Sequence, residues 1–251
     1  MKVGPLFGFV FGLAAGAAQA ASPPYCDRAP PANGKPAPIC ADAKLRAIEG
    51  ELAKAFEAAR DRLAASPALA AALEQDETRF LAQRDAIVAN LAKVDPYNRK
   101  EKEEFHDPAG IMRKRIALLS RIDGAPRKTL RGQWGGADGY LFVNERDRGL
   151  FISLLANRKQ LGLDAVEDWL CRGMGETRGK IKQDAPRISA TLYRGDGEGL
   201  PARGVDIRSS GGMAKVSFLL PRNRRAGDAT PVCEGAAKVA PARLFPLKEA
   251  Q

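Results

Sequence analysis

Residues 40–63 read CADAKLRAIEGELAKAFEAARDRL, and no other stretch constrains the fold as strongly. Leu45, Ile48, Leu52, Phe56, Ala59 and Leu63 recur at steps of three and four, which puts them on one stripe of a helix. Lys44, Arg46, Glu49, Glu51, Lys54, Glu57, Arg60 and Asp61 occupy the rest of its surface. Asp42 stands where a carboxylate can accept from the free N–H groups of the first turn. A stripe of this kind needs a partner to bury it. The reading is therefore a helix over about 43–65 that belongs to a bundle.

The chain around it supplies the partners. Ser66-Pro67 stops the first helix and starts a second, with Pro67 in the first turn. Leu69, Leu73, Phe80, Ile87 and Leu91 form its stripe, and it ends before Asp95-Pro96. Residues 95–107 are polar and read as a loop. Asp107-Pro108 begins a third helix, carrying Met112, Ile116 and Leu119 and ending near Gly124. Three helices with short connections imply a small antiparallel bundle over 21–124. The pattern changes at Gly124-Ala125-Pro126. Beyond it, short apolar runs at 140–143, 150–155, 188–193 and 216–220 alternate with glycine-rich turn signals at 135–139 and 194–199. Residues 165–171 fit a strand or a short helix. The expected fold class is α+β, with a small, mainly antiparallel β domain, a sandwich or barrel, over 125–251.

Residues 1–20 carry a positive Lys2, an apolar run over 6–15 and an Ala18-Gln19-Ala20 cleavage pattern, so they read as a signal peptide cut near Ala20. The mature chain is then periplasmic or secreted, and no later apolar run is long enough to cross a membrane. Cys26, Cys40, Cys171 and Cys233 are an even set in an oxidising compartment, where disulfides are the default. Of three possible pairings the sequence favours Cys26–Cys40 and Cys171–Cys233, each within one region. The second would close a loop of roughly 60 residues and stabilise by about 4 kcal/mol. With no CxxC and a single histidine, His106, neither a metal site nor a cofactor is expected. The net charge of +10 suggests anionic partners such as lipid headgroups, envelope polymers or nucleic acid, and its plainer reading is only a solvated, soluble surface. The basic clusters at 113–115 and 222–225 are short and lack interleaved aromatics, which argues against nucleic acid.

The string Ile39-Cys40-Ala41-Asp42, followed by Leu45, Ile48-Glu49, Leu52 and Phe56, resembles the N-terminal domain of the LprI-type lysozyme inhibitors. That exported bacterial family shows an I-C-A-x-x-x-L-x-x-L-D-x-x-L-x-x-x-Y pattern. Phe80 with Arg84-Asp85 looks like its next segment, and Arg115-Ile116 with Leu119 looks like its closing helix, so the resemblance covers about 26–122. Two family cysteines are absent: one position is Ile87, the other falls near Asp107. One disulfide is thus expected to be replaced by apolar packing at Ile87. The resemblance implies a non-enzymatic, exported envelope binding protein, a lysozyme inhibitor or a relative of one, whose partner is a lysozyme or another envelope protein. The alternative is a structural or adaptor protein that binds anionic envelope components or a protein partner.

Candidate site residues are few. Ser209, Ser210 and Lys215 lie in a stretch similar to the S-G-x-G-x-[KR] loop of other periplasmic lysozyme inhibitors. A hydroxyl there can hydrogen-bond one catalytic carboxylate of a lysozyme while the ammonium pairs with another. The competing reading is a plain hairpin turn, and a basic protein would be repelled at long range by a basic lysozyme. No catalytic residue is expected. His106 has no identifiable nucleophile or orienting group. Glu49 and Arg84 read as structural contacts of the bundle, and Trp134 and Trp169 as anchors of the β domain.

Overall fold

The structure is a computed structural model, and it describes residues 25–27, 38–91, 107–146, 149–158, 169–177, 185–192, 204–219, 233 and 240–249. The expected leader at 1–20, the loop at 95–106 with His106, the glycine run at 194–199 and the basic cluster at 222–225 lie outside the described residues.

Asp42 caps the first long helix, α2 (Ala43–Arg62), its carboxylate accepting the Leu45 N–H at 3.0 Å. A short α1 (Pro38–Ala41) precedes it, and the Cys26–Cys40 disulfide ties the turn at Tyr25–Asp27 to this start. Ile48, Leu52 and Ala59 of the apolar stripe are buried, with Leu63 just beyond. The Ser66 carbonyl accepts from Leu69 and Ala70 at 2.9 and 3.0 Å as α3 (Pro67–Leu91) begins. Asp107 caps α4 (Pro108–Arg121) by accepting from Ala109 and Gly110, each at 2.9 Å, with Pro108 in the first turn. Leu52, Leu63, Leu69, Leu73, Phe80, Met112 and Leu119 meet in one core. Ile87 packs with Leu91 and Ile111, so apolar contact fills the place where a cysteine of the resembled family would stand.

Among the described residues eight strands follow: β1 (Gly132–Gly136), β2 (Gly139–Arg146), β3 (Gly149–Arg158), β4 (Trp169–Glu176), β5 (Arg187–Ala190), β6 (Val205–Ser210), β7 (Met213–Phe218) and β8 (Ala242–Leu247). Their order is β4-β3-β2-β1-β8-β7-β6-β5, and every neighbouring pair is antiparallel. The last strand in sequence is therefore central. Residues 242–244 of β8 pair with β7, and residues 245–247 pair with β1. One strand thus belongs to both halves of the sheet, β1–β4 on one side and β5–β7 on the other.

The inner faces of the halves share one core. Leu141, Val143, Ile152 and Leu154 come from one side, and Ile188, Val205, Ile207 and Val216 from the other. At the sheet's edges, a Cβ built on Gly175 of β4 would lie 2.2 Å from the Thr191 carbonyl oxygen, just past β5. Only glycine allows that approach, and it lets the two edges meet as in a barrel. Cys171 is bonded to Cys233 inside this core. Trp134 is buried there too, and its Nε1 donates to the Leu130 carbonyl at 2.9 Å. Both favoured cysteine pairings are those observed.

The α and β parts share side chains. Ala137, Phe245 and Leu247 sit in the helical core. The exit of α4 runs along the end of β8: Asp123 N–H donates to Pro246 O at 2.8 Å, and Lys248 N–H donates to Arg121 O at 2.7 Å.

The α+β class agrees with the sequence reading, and so do the three long helices and the strands at 140–143, 150–155, 188–190 and 216–218. Residues 169–171 are strand rather than helix. The glycine-rich stretch 135–139 is only partly turn: Gly135 and Gly136 end β1, and Ala137-Asp138 make the connection to β2. Strands β1, β6 and β8 carry no apolar run that announces them.

Candidate functional site

Ser209, Ser210 and Lys215 lie in the β6–β7 hairpin, whose connection is only Gly211-Gly212. Both glycines have positive φ, +58° and +84°, the signature of a type I′ turn that matches the strand twist. The tip is partly docked. A Cβ on Gly212 would meet Pro126 Cβ at 3.0 Å and a Leu69 methyl at 3.1 Å, whereas Gly211 faces open space. Ser210 closes the turn opposite Met213 and is exposed.

Side chains alternate along a strand, and residues directly opposite share a face. Ser209 pairs with Ala214 on the inner side, and its Oγ lies 3.4 Å from the Arg127 carbonyl it donates to. Ser210 and Lys215 lie on the outer side. The fold thus brings two of the three candidate residues to one exposed face and turns the third away.

That face is more basic than the sequence revealed. Lys215 stands opposite Arg208 of β6 on one flank and Arg243 of β8 on the other, and Arg208 stands opposite Arg187 of β5. All four side chains are exposed. Asp206, two residues before Arg208 and buried beneath the arginines, accepts from Arg187 Nε at 2.5 Å and from Arg208 Nε at 2.6 Å. Burial alone would raise the Asp206 pKa, but the two guanidinium hydrogen bonds outweigh it and hold the carboxyl below its ordinary value. Arg187, Arg208 and Arg243 escape a sequence reading because their alignment depends on pairing register, and two of the four strands, β6 and β8, were not expected.

A second polar constellation lies where helices meet sheet. Asp76 of α3 is fully buried, and its Oδ1 accepts the Ala137 N–H at 2.9 Å. Arg115 of α4 forms ion pairs with Asp76 and with Glu77, each at 2.8 Å, and its guanidinium lies over the Phe80 ring. Arg79 joins Asp76 at 3.4 Å to Asp138 at 3.1 Å. Desolvation lowers the Arg115 pKa, but Asp76 and Glu77 overcome it, so the cation is held above its ordinary value. Burial pushes Glu77 up, with Asp76 adding repulsion, and Arg115 does not fully compensate. A sequence signal for this cluster existed, because Asp76 falls on the Leu69–Leu73–Phe80 stripe itself.

Beside the cluster is a pocket of about 130 Å³ whose lining includes Phe80, Ile111, Leu118, Tyr140 and Leu155, together with Arg115 and the exposed Lys114. The Arg115 guanidinium is engaged by its two carboxylates, so the pocket presents mainly apolar wall.

The family-string residues are structural. Glu49 accepts the Tyr25 N–H at 2.8 Å, Arg84 is buried against Asp85 at 2.7 Å, and the Arg84 guanidinium sits 4.7 Å from the Tyr25 ring centroid. They hold the disulfide-tied N-terminal turn onto the bundle. Among the described residues no group of three or more His, Cys, Asp or Glu side chains is placed to hold a metal ion, and no helix is long and apolar enough to cross a membrane.

Residues 26–123 match the sequence model of the family described as lysozyme inhibitor LprI. No curated protein and no solved structure matches the chain.

Proposed function

We propose that this chain, whose residues 26–123 are of the lysozyme inhibitor LprI type, is an exported, non-enzymatic binding protein of the cell envelope that inhibits a lysozyme. The family match is the single observation that carries the reading. Two disulfides support an extracytoplasmic site, since such bonds persist in oxidising compartments. Signal-peptide removal near Ala20 belongs to the same proposal.

Ser210 and Lys215 are the proposed contacts, with Ser209 supporting the turn from the inner side. An exposed hydroxyl and ammonium on one face can engage the carboxylates of a lysozyme cleft, where charge-assisted hydrogen bonds are stronger than neutral ones. Because Gly212 rests on Leu69 and Pro126, the hairpin offers its flank and its Gly211 side rather than a free finger.

Titration of the purified protein against lysozymes of several classes tests the reading. Loss of lysis near equimolar ratio is expected for at least one class. Undiminished lysis at high molar excess for all of them would remove the inhibitor function. Lysozyme inhibition unchanged in Ser210→Ala and Lys215→Ala would remove the hairpin contacts alone.

A further inference from the structure

We infer that the outer face of β5, β6, β7 and β8 is a binding site for a linear phosphate polymer, one with its charges in the backbone and no bases. The proposal does not rest on lysozyme inhibition, although Lys215 belongs to both surfaces. Its basis is the cross-strand row Arg187–Arg208–Lys215–Arg243, four cations at directly opposed register positions on four adjacent strands. Strands about 4.8 Å apart place the four positions along roughly 14 Å, perpendicular to the strands. Like charges directly opposite destabilise a sheet; Asp206 offsets this between Arg187 and Arg208, so the repulsion that a bound anion relieves centres on Lys215 between Arg208 and Arg243.

The details select the occupant. Asp206 takes the Nε of both Arg187 and Arg208, which fixes the two guanidiniums and leaves their Nη ends for another anion. A guanidinium fork matches the oxygens of a phosphate group in a bidentate way. The row crosses the face of the sheet, where the backbone groups of the inner strands are already paired with one another. An extended peptide laid along it would find no backbone partners, which disfavours β-strand addition by an acidic peptide. The four positions carry no aromatic ring to serve as a stacking platform for successive bases. A backbone-charged phosphate chain needs only the cations.

Long-chain inorganic polyphosphate serves as the probe, titrated into the full chain at several salt concentrations. Four contacts predict a slope of log K against log salt of about −3, and the Lys215→Gln/Arg243→Gln pair should bring it to about −1.5. Lys44→Gln/Lys54→Gln, which removes the same charge from exposed positions of α2, should leave slope and affinity unchanged. The row variant also has a second readout. Lys215→Gln alone should raise thermal stability slightly, because it removes repulsion from Arg208 and Arg243. Equal losses in the two double variants would overturn the proposal in favour of diffuse net charge. Tighter binding of polyglutamate or of a single-stranded oligonucleotide than of polyphosphate would overturn it in favour of those classes, and absence of polyphosphate binding would end it.

Discussion

Replacing Asp76 by alanine should cost about 4 kcal/mol and weaken the helical and β parts together. The carboxylate is fully buried, pairs with Arg115 at 2.8 Å and accepts the Ala137 N–H at 2.9 Å. Removing one partner of a buried ion pair costs about 3–5 kcal/mol. A buried N–H left without an acceptor costs about 1–3 kcal/mol, and the two terms overlap because one carboxylate serves both. Asp76→Asn keeps an acceptor for Ala137 and should lose only about half as much. Urea unfolding read by far-UV circular dichroism and by tryptophan fluorescence gives the assay. Both tryptophans, Trp134 and Trp169, lie in the β part, whereas the far-ultraviolet signal is dominated by helices. With a urea slope of about 2.5 kcal/mol/M, the midpoint should fall by about 1.5 M. The two probes should stay coincident in wild type and variant. A loss below about 1.5 kcal/mol, or wild-type transitions that separate by probe, would refute the view that this cluster joins helices to sheet.

Other consequences follow from the same contacts. Because the folded Glu77 carboxyl takes up its proton above the ordinary value of 4.5, the folded state holds more protons in that window. Its contribution to stability therefore grows as pH falls toward 4.5 and is lost as pH rises through the folded pKa, and Glu77→Gln should flatten this part of a Tm-against-pH curve. Replacing Cys171 and Cys233 together by alanine should cost about 4 kcal/mol, and the shorter Cys26–Cys40 loop about 3 kcal/mol, by urea unfolding of each pair variant. At the hairpin, Gly212→Ala should cost about 1–2 kcal/mol from its positive φ and its contacts with Leu69 and Pro126, while Gly211→Asn should stay within about 0.5 kcal/mol.

The helices were legible because stripe, cap and proline agreed at each start: Asp42 before α2, Ser66-Pro67 before α3, Asp107-Pro108 before α4. The central strand was not. Pro246 and Arg243 interrupt the apolar run of β8, and proline usually marks an edge strand. Here β8 changes neighbours midway, and the Pro246 carbonyl accepts from Asp123 N–H outside the sheet's strands. The basic row was illegible for a related reason. Arg187, Arg208, Lys215 and Arg243 are scattered in sequence, and only the register fixed by a two-residue turn and by β8 pairing lines them up. The candidate hairpin residues were found as a segment, but their division between two faces needed the strand boundaries. Asp76 and Arg84 both fall as charges on the apolar stripe of α3, a pattern that signals buried pairing, but only Arg84 was read as a structural contact.

Lysozyme inhibition is tested by an isotherm: the rate of cell-wall lysis by a lysozyme as the full, disulfide-intact protein is titrated in. Saturable loss of lysis with a sharp end point near one protein per enzyme is expected for at least one lysozyme class. Lysis rates that stay flat to a large molar excess across the classes would contradict it.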